Sequence, residues 1–123
     1  MFEISCIDHI VLRTTKIEKM IDFYCNILNC TIERVQDQIG LTQLRAGDCI
    51  IDLLKVDNEV HQAHRNLGHF CLRINPFDGS SLQDYFKSKG IESLRYGQRY
   101  SAIGYTFSLY LLDPEDNEVE LTG

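Results

Sequence analysis

The chain has 123 residues, 44% of them hydrophobic and 24% charged, with a formal charge of −6 and a pI near 5.1. That balance suits one globular domain and excludes an electrostatic nucleic-acid binder, which needs a basic face. No apolar run reaches the roughly 20 residues of a membrane span, so neither nucleic acid nor a membrane is the expected partner.

Residues 6–13 alternate as a strand, with Ile7, His9, Val11 and Arg13 on one face and Ile10 and Leu12 on the other. Thr15-Lys16-Ile17-Glu18 then forms a capping box. A helix is expected after it, because Ile17, Met20, Ile21, Tyr24 and Leu28 make an apolar stripe, and Asn29 is placed to end it. Strands are expected near 31–36, 41–46 and 49–55, with Gly40 and Gly47-Asp48 as turns. Val56 to Leu67 is polar, carries His61 and His64, and reads as a linker with a solvated surface. A strand at 68–74 follows, then a second capping box, Ser80-Ser81-Leu82-Gln83, and a helix through Leu82, Tyr85 and Phe86 that ends at Gly90. The last strands are expected near 91–96, 105–112 and 117–121. Arg95, Arg99 and Tyr100 lead into Ser101-Ala102-Ile103-Gly104 and read as a solvated loop, with the border of a pocket as the alternative, and Asp113-Pro114-Glu115-Asp116-Asn117 makes the final turn. Thr106, Ser108 and Tyr110 share one strand face, Phe107, Leu109 and Leu111 the other.

Both halves therefore read β-α-β-β-β. The expected fold class is α+β, two βαβββ modules forming a curved mixed sheet with helices outside. Module one spans about 4–56, the linker about 57–66 and module two about 67–123, within a single domain of 1–123. The five cysteines are odd in number and show no CxxC spacing, and Met1 to Ser5 carries no secretory pattern. They read as thiols in a reducing compartment, and a cytoplasmic location is expected.

His9-Ile10-Val11-Leu12-Arg13 recurs sixty positions later as His69-Phe70-Cys71-Leu72-Arg73. Each half also closes on an apolar strand interrupted by one acid, Asp52 in the first and Glu120 in the second. A carboxylate in such a run is costly to bury unless it is paired, hydrogen-bonded or bound to a cation. Two imidazoles with one or two carboxylates form an N/O ligand set suited to Zn, Ni, Mn or Fe(II). A strand acid that faces solvent is the plain alternative for Asp52. Cys71, two positions after His69, reads either as a neighbour of the site or as a small core residue.

Several motifs together resemble the vicinal oxygen chelate superfamily, which includes glyoxalase I, bleomycin-resistance proteins and extradiol dioxygenases. They are His9-x-x-Leu12-Arg13, the helix text Ile21 to Leu28, Gly68-His69, and Asp113-Pro114-x-x-Asn117-x-x-Glu120-Leu121. The resemblance spans essentially the whole chain. It implies a divalent metal held by His9, His69 and Glu120, with Asp52 where glyoxalase I has a glutamate. Asp52 is one methylene shorter, so it serves as a fourth ligand, acts through water or stays off the metal. Glu120 or Asp52 would serve as the general base. Arg13, Ser108 and Tyr110 are the expected substrate-binding residues, although a surface role for Arg13 stays open. The expected activity is a metal-dependent lyase or isomerase of the glyoxalase type, acting on a small substrate or thiol conjugate. A non-catalytic binding protein of the bleomycin-resistance kind, a thiol transferase and a dioxygenase are the alternatives. The resemblance also implies a homodimer.

Overall fold

The computed structural model describes residues 7, 9–57, 67, 69–101 and 104–123, with the backbone alone at 100 and 101. The expectations for Cys6, His61, His64, Gly68 and most of the linker fall outside the described residues. The chain divides into two compact units, Met1–Val60 and His61–Gly123.

The first unit runs β1 (His9–Thr14), α1 (Ile17–Ile21), a π-helical segment (Asp22–Ile27), β2 (Thr31–Gln36), a 3₁₀ turn (Asp37–Ile39), β3 (Leu41–Ala46) and β4 (Cys49–Lys55). Its sheet has the order β1-β4-β3-β2. β1 is parallel to β4 and the other pairs are antiparallel. The second unit repeats the plan with β5 (Phe70–Arg73), α2 (Gly79–Ser88), β6 (Arg95–Ser101), β7 (Gly104–Leu112) and β8 (Glu118–Thr122). The order is β5-β8-β7-β6, again with its first and last strands parallel. The molecule is thus α+β, built of two βαβββ modules, each with a mixed four-stranded sheet. Among the described residues no helix is long and apolar enough to cross a membrane.

Strand alternation sorts each sheet into two faces. In the first unit Leu12, Leu44, Ile51 and Leu53 share the face that buries Met20, Phe23 and Tyr24 of the helical segment. In the second unit Leu109, Leu111, Val119 and Leu121 do the same, and Phe86 of α2 is buried with them. The opposite faces carry the polar residues.

Four local expectations need correction. The first helix is capped at Lys16 rather than Thr15, with no side-chain cap on that residue; instead Thr14 Oγ1 accepts from the Lys16 amide at 2.8 Å. Nor does the helix keep an α period. After Ile21 it widens to π, with Leu28 N donating to Phe23 O at 3.0 Å. The wider turn brings Phe23, off the predicted stripe, into the core beside Tyr24, with ring centroids 5.1 Å apart. The second helix begins at Gly79, not at the Ser80 box: Asp78 Oδ1 accepts from the amides of Ser80 and Ser81 at 3.1 and 3.2 Å. Finally, 95–101 is a strand paired along β7 rather than a solvated loop. The helix ends read correctly, since Asn29 (φ 62°) and Gly90 (φ 75°) both adopt the left-handed conformation that follows a helix.

Candidate metal and substrate site

The textual repeat is also a register repeat. In the first sheet Val11, Asp52, Gln43 and Arg34 lie side by side across four strands, with His9 two positions before Val11. In the second, Cys71, Glu120, Tyr110 and Arg95 form the same row, with His69 two positions before Cys71. Residues paired across strands point to one face. Each module therefore sets a His, a carboxylate and an Arg on the face away from its helix.

In the second sheet His69 Nε2 lies 3.1 Å from Glu120 Oε2. The imidazole is half exposed, while Glu120 is only 7% exposed overall. Tyr110 sits beside both: its ring meets His69 edge-on at 5.9 Å, and the Arg95 guanidinium lies over it at 4.3 Å. Arg95 also pairs with Glu118. Burial raises the Tyr110 phenol above its ordinary value of 10.0. Its hydrogen bond to Glu120 and that residue's charge add to the effect, and Arg99 opposes it. Burial likewise pushes the Cys71 thiol up to about 11, helped by the Glu120 charge and opposed by Arg73. Two residues along β8 from Glu120, Thr122 Oγ1 meets Thr106 Oγ1 at 2.6 Å.

In the first sheet Asp52 is buried, and its Oδ1 accepts from Gln43 Nε2 at 3.0 Å. His9, Val11 and Arg13 are exposed on the same face. Asp52 therefore does not project into solvent; it is a buried acid with a neutral amide partner, as its apolar run requires.

The candidate residues fall into two groups. His69, Glu120 and Tyr110 are brought together in the second sheet, with Ser108 two positions along β7 from Tyr110. His9, Asp52 and Arg13 share the equivalent face of the first. Among the described residues no three His, Cys, Asp or Glu side chains converge as one group. The chemistry of the His69–Glu120 pair still fits a divalent ion, since the two are N/O donors 3.1 Å apart and the imidazole is half exposed. The sequence reading missed Gln43, and it favoured a solvated loop for Arg95 and Arg99 over the border of the site, where β6 places them. The alternation Arg95, Gly97, Arg99 carried the signal, but a run this polar does not look like a strand.

No curated protein sequence matches the chain, whereas the fold has many solved counterparts. A protein from the mobile metagenome of V. pseudocholerae is 25% identical with a TM-score of 0.81, covering 99% of this chain and 96% of that one. The fosfomycin resistance protein FosX from Listeria monocytogenes is 20% identical, with a TM-score of 0.76 and 98% and 92% coverage. A lactoylglutathione lyase from Agrobacterium tumefaciens is 19% identical, with a TM-score of 0.72 and 96% and 92% coverage. The last two likenesses concern the fold. A family model matches residues 6–121, and the chain belongs to the Glyoxalase/Bleomycin resistance protein/Dioxygenase superfamily.

Proposed function

We propose that the protein is a metal-dependent enzyme of the glyoxalase type, acting on a small substrate with two neighbouring oxygens, such as a thiol conjugate. One observation carries this reading: the His69–Glu120 pair at 3.1 Å, set in the same register as His9 and Asp52. A structural imidazole needs no acid at that point, and a buried acid needs no duplicated histidine. His69 and Glu120 would hold a divalent ion, with His9 and Asp52 as the further donors that the sequence resemblance names. Such an ion, when bound, supplies Lewis acidity toward the substrate oxygens. Glu120 is the proposed base. It is mostly buried, and Tyr110 hydrogen-bonds to it, so it can take a proton from substrate carbon while held in place. Tyr110, Ser108 and Arg13 contact the substrate, and the protein works as a homodimer.

Metal analysis of the native protein beside a His69→Ala variant tests the ligand assignment. The variant is expected to lose the metal, and full stoichiometry in the variant, or none in the native protein, removes the proposal. Turnover of the methylglyoxal–glutathione hemithioacetal with Ni, Zn, Mn or Fe(II) tests the reaction separately. No turnover with metal bound would leave a binding role for the same site. Sedimentation checks the dimer by itself.

A further inference from the structure

Cys71 is the ladder partner of Glu120 across the parallel pair β5 and β8, and its thiol donates a hydrogen bond to that carboxylate. His69, two residues earlier, meets the same carboxylate through Nε2 at 3.1 Å. An imidazole and a thiol thus reach one acid from a single two-residue step of chain, about 7 Å of strand. The thiol is also exposed. The first sheet has no such arrangement: Val11 holds the place of Cys71, and Asp52 is met by the neutral amide of Gln43. A sulfur atom stands beside the acid only in the second row.

The three side chains form a chain of contacts with Glu120 in the middle, not yet a closed group. Each contact is one that a cation can replace. A proton shared between a thiol or an imidazole and a carboxylate occupies the place an ion takes when both groups ligate it. Nitrogen and oxygen donors on one tetrahedral ion stand about 3.4 Å apart, so the His69–Glu120 pair has little to open. Cys71 turns on a single torsion with three staggered positions. We propose that Cys71 is a metal ligand beside His69 and Glu120, giving a nitrogen, sulfur and oxygen set that selects Zn, Co or Ni over Mn or Mg. This rests on the reading that His69 and Glu120 hold a divalent ion, and adds the class of ion. Imidazole and carboxylate alone leave that choice open, whereas a thiolate favours the softer ions. On binding, the S–H bond breaks, its proton leaves to solvent and the thiolate sulfur bonds the ion.

Cobalt(II) added to the chelated full chain tests this by absorption. One equivalent should bring up a near-ultraviolet sulfur-to-cobalt charge-transfer band that is absent from Cys71→Ser and from His69→Ala. Zinc should slow alkylation of Cys71 by iodoacetamide by about tenfold or more, followed by peptide mass mapping, and His69→Ala should remove that protection. Cys71→Ser should weaken zinc binding by about tenfold or more and manganese binding only slightly, with the melting temperature of the metal-free protein unchanged. Three results overturn the sulfur ligand and leave the His69–Glu120 assignment standing: bound metal without the band, a band that persists in Cys71→Ser, or equal losses of zinc and manganese in that variant. A native protein that binds no metal removes both.

Discussion

The carboxylate of Asp113 is almost fully buried and accepts three hydrogen bonds of 2.8 Å, from the amides of Glu115 and Asn117 and from Asn117 Nδ2. It closes the turn that delivers β8, and with it Glu120. The Asp-Pro-x-x-Asn part of the family motif is therefore architecture, which leaves its final Glu as the candidate for chemistry. Hydrogen bonds to a charged group contribute about 1.5–3 kcal/mol each, with losses that do not simply add. Asp113→Ala should destabilise the protein by about 3–5 kcal/mol, read as a lowered urea midpoint with an unchanged m-value. Cys71 gives a second residue-scale test. With its pKa near 11 the thiol stays protonated at pH 8 and alkylates slowly. Glu120→Gln removes a nearby negative charge, so in chelated protein it should lower the thiol pKa and speed alkylation at Cys71, followed by peptide mass mapping. An unchanged rate would deny the contact. At this scale the sequence showed which residues could ligate, through apolar strands broken by acids. It did not show Gln43, because a neutral amide becomes informative only once its strand partner is known.

Elements differ in how plainly they announce themselves. β1, β3, β4 and β7 are apolar alternations and lay open to reading. α2 did not begin where expected because Asp78, Ser80 and Ser81 can all cap, and only tertiary packing chooses among them. The turn that Asp78 caps sets Gly79 against the Tyr96 ring, where a Cβ would meet the ring edge. The cap has a pH signature. Hydrogen bonds from Ser81 and Ser80 hold the Asp78 carboxyl below its ordinary value of 3.8. Its contribution is thus present above about pH 3.8 and fades as the pH falls through the lower folded value. Thermal melts from pH 6 to pH 2 should show this loss in the native protein and a flatter profile in Asp78→Asn. If both fall in parallel, the cap is not what acid breaks. On the core side, Leu53 is fully buried on β4, and Leu53→Ala should cost about 2–5 kcal/mol in denaturant unfolding.

For the whole molecule, duplication was legible because it is written twice: sixty residues apart in the text, and again in the strand order of each sheet. What the text could not give was which partner each acid meets. That depends on register, and one residue of slip would turn every side chain to the other face. Ligand binding to the folded state alone raises stability by RT ln(1 + [L]/Kd). A divalent ion held as proposed, at a hundredfold its Kd, should therefore stabilise the whole chain by about 2.7 kcal/mol, seen as a raised melting temperature that chelation reverses. His69→Ala should abolish that rise. A rise that survives the substitution would place the ion elsewhere.

The matched rows, Val11-Asp52-Gln43-Arg34 and Cys71-Glu120-Tyr110-Arg95, can be compared place by place. They share the acid class and the arginine and differ at the other two places. The second copy holds an aromatic and a thiol where the first holds an amide and a valine. The first sheet is then a ready recipient for transplanted chemistry: Val11→Cys, Asp52→Glu and Gln43→Tyr would rewrite its row in the language of the other, on a backbone that already has the right pairing.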